Sequence, residues 1–272
     1  MQFKKSLLVG ILGEPNSGKS SLANAIINYN ACMISCKPHT TRESTLAIYT
    51  KDEYQIVFTD TPGIGSSLRK DSMKLANIAK RSMEKNDVLV FLFDGTKKQI
   101  KPHMIDLIKQ TKCPKIALFS KVDIVNRGKL LPLTAQISDY FQDIFYISSI
   151  TTEGISAFLE KLKEYALDND WFFDVDTKTN RTLQQMICDR TQEVLFTYLH
   201  DEIPYHTKVV IDNLQTKKGE IFIYQNVFIK ESYKHIFLSN IKTLSMKSRE
   251  AVEKLLEKKT HLFLNVKVAK NR

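Results

Sequence analysis

Leu7-Leu8-Val9-Gly10-Ile11-Leu12-Gly13-Glu14-Pro15-Asn16-Ser17-Gly18-Lys19-Ser20 is the stretch on which the fold turns. An apolar run of strand length ends at a glycine. The pattern G-x-x-x-x-G-K-S follows, and a helix-length segment, Lys19 to Asn28, comes after it. Strand, glycine-rich loop and helix in that order make a phosphate-binding loop. Glycines let backbone N–H groups converge on phosphate oxygens, Lys19 supplies a point charge to the β and γ phosphates, and the Ser20 hydroxyl is placed to ligate Mg²⁺. Gly13, Asn16, Ser17, Gly18, Lys19 and Ser20 are therefore candidate nucleotide-site residues, with Ser21 the next position on the helix.

Further along, Asp60-Thr61-Pro62-Gly63 closes a second strand candidate, Tyr54 to Thr59. An acid at the carboxyl end of a strand faces the same crevice as the loop. Asp60 can hold Mg²⁺ through water, and the Gly63 N–H can meet a γ-phosphate. Between the two lies Pro38-His39-Thr40-Thr41-Arg42, where one threonine, Thr41 in preference to Thr40, completes the metal shell when a γ-phosphate is present. Lys19, Thr41 and Gly63 are the candidates nearest the reacting phosphate, and Ser20, Thr41 and Asp60 the candidate metal ligands. Ser120-Lys121-Val122-Asp123 follows another strand candidate, Lys115 to Ser120. A carboxylate at Asp123 accepts two hydrogen bonds from a guanine edge, and adenine has no matching donor pair. Lys121 would lay its stem over the base, and Ser148 and Ser149 would close the far side.

Outward from these motifs, residues 6–160 alternate strand-like runs with helix-length amphipathic segments, the pattern of a mostly parallel sheet covered on both faces. Only three residues separate Ser44–Thr50 from Tyr54–Thr59, so that pair is an antiparallel hairpin at the edge. Helices are expected over Ser72–Lys85, Pro102–Thr111, Lys129–Phe141 and Ile155–Leu167. Residues 169–182 read as a linker between a first domain, 1–168, and a second, 183–272. The second is an α+β module: a helix over Leu183–Leu199, strands over His206–Asp212 and Glu220–Ile229, a short strand over His235–Leu238, a basic helix over Ile241–Lys258, and a last strand over His261–Val268.

The chain has 272 residues, 43% of them hydrophobic and 26% charged, enough for a full core and against disorder. Its longest apolar runs are far short of a bilayer span, and four scattered cysteines suit a reducing compartment. These features place it in the cytoplasm. Forty Lys and Arg against thirty Asp and Glu leave a charge of +10, which favours an anionic partner, nucleic acid or membrane surface. The excess sits at the C-terminal end, where residues 230–272 hold eleven basic and four acidic residues. Lys234, Lys242, Lys247 and Arg249 are the candidate phosphate contacts.

Together these motifs resemble the G motifs of the Era-type GTPases, within the translation-factor-related class. Gly13–Ser20 is similar to that family's GxPNxGKS, Thr40–Arg42 to its TTR and Asp60–Gly63 to its DTPG. Glu202-Ile203-Pro204-Tyr205 is similar to the ExPY element entering the family's KH type 2 domain. The resemblance spans nearly the whole chain. It implies an α/β P-loop GTPase domain followed by a KH-type-2-like domain. The implied protein is a monomeric, slow GTP-hydrolysing switch that takes GTP, GDP and Mg²⁺, binds small-subunit (16S) rRNA and assists assembly of the 30S subunit, sometimes at the inner membrane face. Asn16 further implies K⁺ beside the phosphates. A rival reading is a GTP-gated interaction module that has lost RNA clamping and engages a protein or an anionic membrane. An ATP-dependent enzyme on the same loop is disfavoured by Asp123.

Three positions depart from the family pattern. Ile64 stands where related enzymes place a water-orienting glutamine. Ser120 replaces the asparagine of N-K-x-D and loses the amide that reaches the base and braces the loop, at a cost of about 1 kcal/mol. Gly219 is the last glycine in the chain, so the G-x-x-G loop with which KH domains clamp a nucleic-acid backbone is missing. Leu238–Thr243, its counterpart, is also several residues too short.

Overall fold

The apolar runs of the first 150 residues become a six-stranded sheet in the computed structural model, which describes residues 4–33, 45–60, 72–200, 202–217 and 219–269; the side chains of 60, 72–76, 78 and 79 lie outside the description. Its strands are β1 (Lys5–Gly13), β2 (Thr45–Lys51), β3 (Tyr54–Asp60), β4 (Val88–Asp94), β5 (Lys115–Ser120) and β6 (Asp143–Tyr146), in the order β2-β3-β1-β4-β5-β6. Every neighbouring pair is parallel except the β2–β3 hairpin. Parallel strands need crossovers, and these are supplied by α1 (Lys19–Ile27), α2 (Ser72–Lys85), α3 (Pro102–Gln110) and a segment containing α4 (Leu131–Ala135), with α5 (Ile155–Lys163) following β6. Helices lie on both faces, so a central strand such as Val88–Phe93 is buried along its whole length. One core cluster joins Leu22 and Ile26 of α1 with Phe158 and Leu162 of α5, and the other joins Met104 and Leu107 of α3 with Leu133 of α4.

A single helix over Lys129–Phe141 is not what forms. Short 3-10 turns at Arg127–Lys129 and Ser138–Tyr140 flank the five-residue α4. Pro132 starts that helix. Gln136 ends it, its side chain turning back to the Pro132 carbonyl and accepting the Ile100 N–H. Tertiary hydrogen bonding outweighs the local periodicity there.

The compact units divide at Asn180/Arg181. Residues 169–180 pack along the first unit. Phe173 N–H donates to Gln55 Oε1 (3.0 Å) and Gln55 Nε2 to the Phe173 carbonyl (2.9 Å), while Trp171 Nε1 donates to the Glu53 carbonyl. Ile48 N–H donates to the Lys178 carbonyl, and Ala47 bridges Thr179. The supposed linker is a strap along the β2–β3 hairpin.

The second unit is α6 (Leu183–Tyr198), β7 (Lys208–Lys217), β8 (Glu220–Ile229), α7 (Lys234–Leu256) and β9 (Thr260–Val268). A capping box of Thr182 and Gln185 starts α6. The sheet order is β7-β8-β9, the first pair antiparallel and the second parallel, consistent with a KH-like module. A bulge between Ile211 and Asn213 carries β7 beyond the expected Asp212. The larger correction is at α7. No strand forms over His235–Leu238 and no loop over Leu238–Thr243; one helix of 23 residues runs through both. Phe237, Leu244, Ser248 and Val252 recur at helical spacing on its buried face, and no glycine or proline interrupts it. Tyr233, His235 and Phe237 alternate in sequence as on a strand, but at and beyond the start of this helix they do not share one face. Phe237 is core, Tyr233 stacks on His206, and His235 is exposed.

Candidate functional site

The parallel strands bring their carboxyl ends to one edge of the sheet, and the motif-bearing segments leave from there. Leu12 pairs with Phe91, and the sequence moves from Gly13 into the phosphate loop. Asp94 pairs with Ser120, and Ile11 with Asp60. The loop can turn here only because of its small residues. A Cβ on Gly13 would lie 2.6 Å from the Leu92 carbonyl oxygen and 2.8 Å from Ser17 Oγ, a clash with backbone that nothing relieves. Gly18 sits at φ +97 as the N-cap of α1, and Asn16 also takes a left-handed conformation. The result is a cradle at the start of α1, where the helix dipole favours an anion.

Lys19 is 7% exposed, and its ammonium donates to the carbonyls of Gly13 (3.2 Å) and Glu14 (2.8 Å), which holds it at the loop. Ser20 and Ser21 are half-buried in the first turn of α1. These side chains suit a phosphate and its hard divalent cation: one fixed ammonium, backbone N–H groups and a hydroxyl. Among the described residues there is no cluster of three or more His, Cys, Asp or Glu that could hold a metal ion.

The segment after β5 is laced to this loop. Ser120 is buried, and its hydroxyl has the Ser17 carbonyl at 2.7 Å and the Phe93 carbonyl at 3.1 Å. The expected loss of loop bracing is thus corrected: the serine hydroxyl itself reaches the loop backbone at the Ser17 carbonyl. Lys121, left-handed at φ 63, donates from its ammonium to the Asn16 carbonyl (2.9 Å) and to Asp94 Oδ2 (2.8 Å). Burial works against a charge on Asp94, but hydrogen bonds from Lys121 and Thr96 and the Lys121 charge hold its carboxyl below the ordinary value. Asp94 was not among the residues singled out from sequence; an acid ending a wholly apolar run of strand length is the signal that could have found it.

Asp123 lies exposed in a 3-10 turn, Val122–Ile124. That turn is tied to the end of β6 by Val122 N–H to the Ile147 carbonyl. Beyond it, Ser148 is fully buried and its hydroxyl accepts the N–H groups of Ile150 and Thr151, so it shapes the loop, while half-buried Ser149 follows. The structure thus gathers Gly13, Asn16, Ser17, Gly18, Lys19, Ser20, Ser120, Lys121, Asp123, Ser148 and Ser149 at one edge. Asp60 is placed there by its backbone alone. Thr40, Thr41, Gly63 and Ile64 lie outside the described residues.

The basic candidates lie on α7. Lys234 pairs with Glu231 (3.6 Å) and Lys247 with Glu250 (2.8 Å), while Lys242 and Arg249 are exposed. The ExPY-like segment is a 3-10 turn, Ile203–His206, whose Tyr205 meets Phe196 edge-on and whose Pro204 carbonyl accepts from Gln192 and Thr207. It fastens α6 to β7.

Residues 8–121 match the family model described as 50S ribosome-binding GTPase. The GTPase Era of Thermotoga petrophila is 30% identical over 98% of this chain and 93% of its own length, and that of Mycoplasmopsis pulmonis 31% identical over 98% and 95%. Among solved structures, Era in complex with MgGDPNP and nucleotides 1506–1542 of 16S ribosomal RNA superposes with a TM-score of 0.84 at 26% identity, covering 98% of this chain and 95% of that one. A point variant of Aquifex aeolicus Era bound to GDP.AlF4- gives the same figures.

Proposed function

Since the chain belongs to the Era family of GTPases, we propose that it is a GTP-hydrolysing switch that binds small-subunit (16S) rRNA and assists 30S subunit assembly. The observation that carries the nucleotide half is the double tie between the base-selecting segment and the phosphate loop, Ser120 Oγ to the Ser17 carbonyl and Lys121 Nζ to the Asn16 carbonyl. Two chain segments a hundred residues apart are held together by these bonds. In this reading Lys19 meets the β and γ phosphates, the cradle from Gly13 to Gly18 supplies N–H donors, and Asp123 selects guanine. Ser20, Asp60 and Thr41 would hold Mg²⁺, which when bound would supply positive charge beside the phosphates, and Gly63 would offer its N–H to the γ-phosphate. Asn16 would face K⁺; equal single-turnover rates in Na⁺ and K⁺ would remove that role.

RNA is supported by the basic C-terminal unit and by the Era structure solved with its rRNA fragment. The rival reading, an interaction module without RNA, is not favoured. The reading places the chain in the cytoplasm as a monomer, with any membrane contact peripheral; no helix among the described residues is long and apolar enough to cross a membrane. Crosslinking the GTP-loaded protein to total cellular RNA tests the whole reading. Enrichment of the 3′ end of 16S rRNA is expected. Recovery of no RNA above background would overturn the ribosomal assignment, and GTP binding displaced equally by ATP would overturn the nucleotide assignment.

A further inference from the structure

Among the described residues, the helices of the second unit, α6 and α7, pack on one face of its sheet. Ile223 and Val227 of β8 and Leu262 of β9 point into the core beneath α6 and α7, so the alternate residues point away from it. Five of these are rings, Phe222, Tyr224 and Phe228 of β8 and His261 and Phe263 of β9, and four of them form two cross-strand pairs. The parallel register sets Phe222 beside His261 and Tyr224 beside Phe263. Both pairs are stacked, with centroids 4.5 Å apart at 17° and 4.9 Å apart at 14°. Those separations match the spacing of about 4.8 Å between strands, so the rings stand face to face across the sheet. Each stack ends at β9, an edge strand. Tyr224 is 37% and Phe263 47% exposed, and none of the four belongs to a core cluster.

Charge surrounds the rings. Lys217 Nζ lies 6.0 Å from the Phe222 ring centre, and two rows beyond Tyr224 the register sets Lys208 and Lys267 on either side of Phe228. Lys208, Lys217 and Lys267 are exposed. The acids on this face are engaged: Glu220 with Lys259 (2.6 Å) and His261 (2.7 Å), and Asp212 with the Asn226 side chain (2.7 Å). Aromatic faces at an open edge between lysines are the chemistry of a single-stranded nucleic-acid platform, where bases stack and phosphates meet cations.

We propose that this face is a single-stranded RNA platform, on which two successive unpaired bases extend the Tyr224–Phe263 and Phe222–His261 stacks at the β9 edge while Lys208, Lys217 and Lys267 take phosphates. The inference rests on the RNA-directed reading above. It supplies a hold on RNA in a chain whose α7 runs unbroken where a glycine loop would clamp.

The test uses the full chain loaded with a non-hydrolysable GTP analogue. The probes are a fluorescein-labelled unpaired RNA of the 16S 3′-terminal sequence and a blunt hairpin of equal length. By fluorescence anisotropy, Phe263→Ala and Tyr224→Ala each weaken the unpaired probe by about 5- to 100-fold. Phe263→Tyr and Tyr224→Phe restore it to within about twofold, and the hairpin binds poorly throughout. Ultraviolet crosslinking of the wild-type chain places the RNA on the peptides holding Tyr224 and Phe263, a readout that does not depend on how the alanine variants fold. The platform is overturned if the alanine variants bind as wild type while Lys242→Glu and Arg249→Glu abolish binding; the RNA-directed function then stands. It is also overturned if the alanine variants change only the sedimentation of the protein, which makes the face a contact between copies. If the wild-type chain binds neither probe, platform and RNA-directed function fall together.

Discussion

Replacing Ser120 by alanine removes one oxygen and breaks one of the two ties between the Ser120–Asp123 segment and the phosphate loop. Both partners are buried, Ser120 at 2% exposure and Ser17 at 1%. The lost hydrogen bond costs about 1 kcal/mol net, and the Ser17 carbonyl left without its donor adds about 1–2 kcal/mol. Unfolding of the first unit should therefore require about 2–3 kcal/mol less. Only the part felt by the loop reaches the ligand, so GDP affinity should fall about five- to tenfold. Trp171, the sole tryptophan, reports urea unfolding from its place against Glu53, and titration with a fluorescent GDP gives the affinity. Ser120→Thr keeps the hydroxyl and should stay within about threefold of wild type. Ser120→Asn, which adds an amide able to reach the base, should tighten binding by about 1 kcal/mol. If Ser120→Ala leaves both the urea midpoint and the GDP affinity unchanged, the hydroxyl does not brace the loop.

Asp123→Ala should abolish discrimination between GTP and ATP in competition binding, at a cost of about 1.5–3 kcal/mol in GTP affinity, the scale of hydrogen bonds to a charged acceptor; retained guanine preference would move base selection elsewhere. Asp94 has a folded-state carboxyl below its ordinary value of 3.8, so its stabilising contribution is complete above that value and is lost as pH falls through the lower folded one. Lys121→Met should remove this contribution and flatten the acid limb of the urea midpoint against pH, and a limb as steep as wild type would contradict it. Gln55→Ala strands the Phe173 N–H and carbonyl that the buried amide holds, and should destabilise the first unit by about 2–3 kcal/mol. Proteolysis should then cut within 169–180, and a strap as resistant as wild type would show that Gln55 does not secure it.

Most of the sheet was legible because its signals are local. Val88–Asp94 and Lys115–Ser120 begin and end where their apolar runs do, and the Lys51–Tyr54 turn forces the antiparallel edge. The phosphate loop was legible because its glycines are demanded by backbone geometry. What escaped was set by distant partners. Residues 169–180 have no period of their own, because their order comes from Gln55, Glu53 and Ile48, more than a hundred positions away. Asp94 gains its role only when Lys121 arrives from the next strand. The segment 233–238 alternates like a strand, yet Phe237 shares its buried face with Leu244 and Val252, a pattern visible only over a window longer than the alternation.

The unbroken α7 also decides where this unit can be opened by an engineer. A helix nucleates once and propagates, so its 23 residues tend to melt together, from Phe237 to Val252. Residues 238–243, in mid-helix, offer no seam. The hairpin tip does: at Gly219, left-handed at φ +82, no described atom other than those of its chain neighbours lies within 4 Å of where a side chain would begin, so an added group there has room.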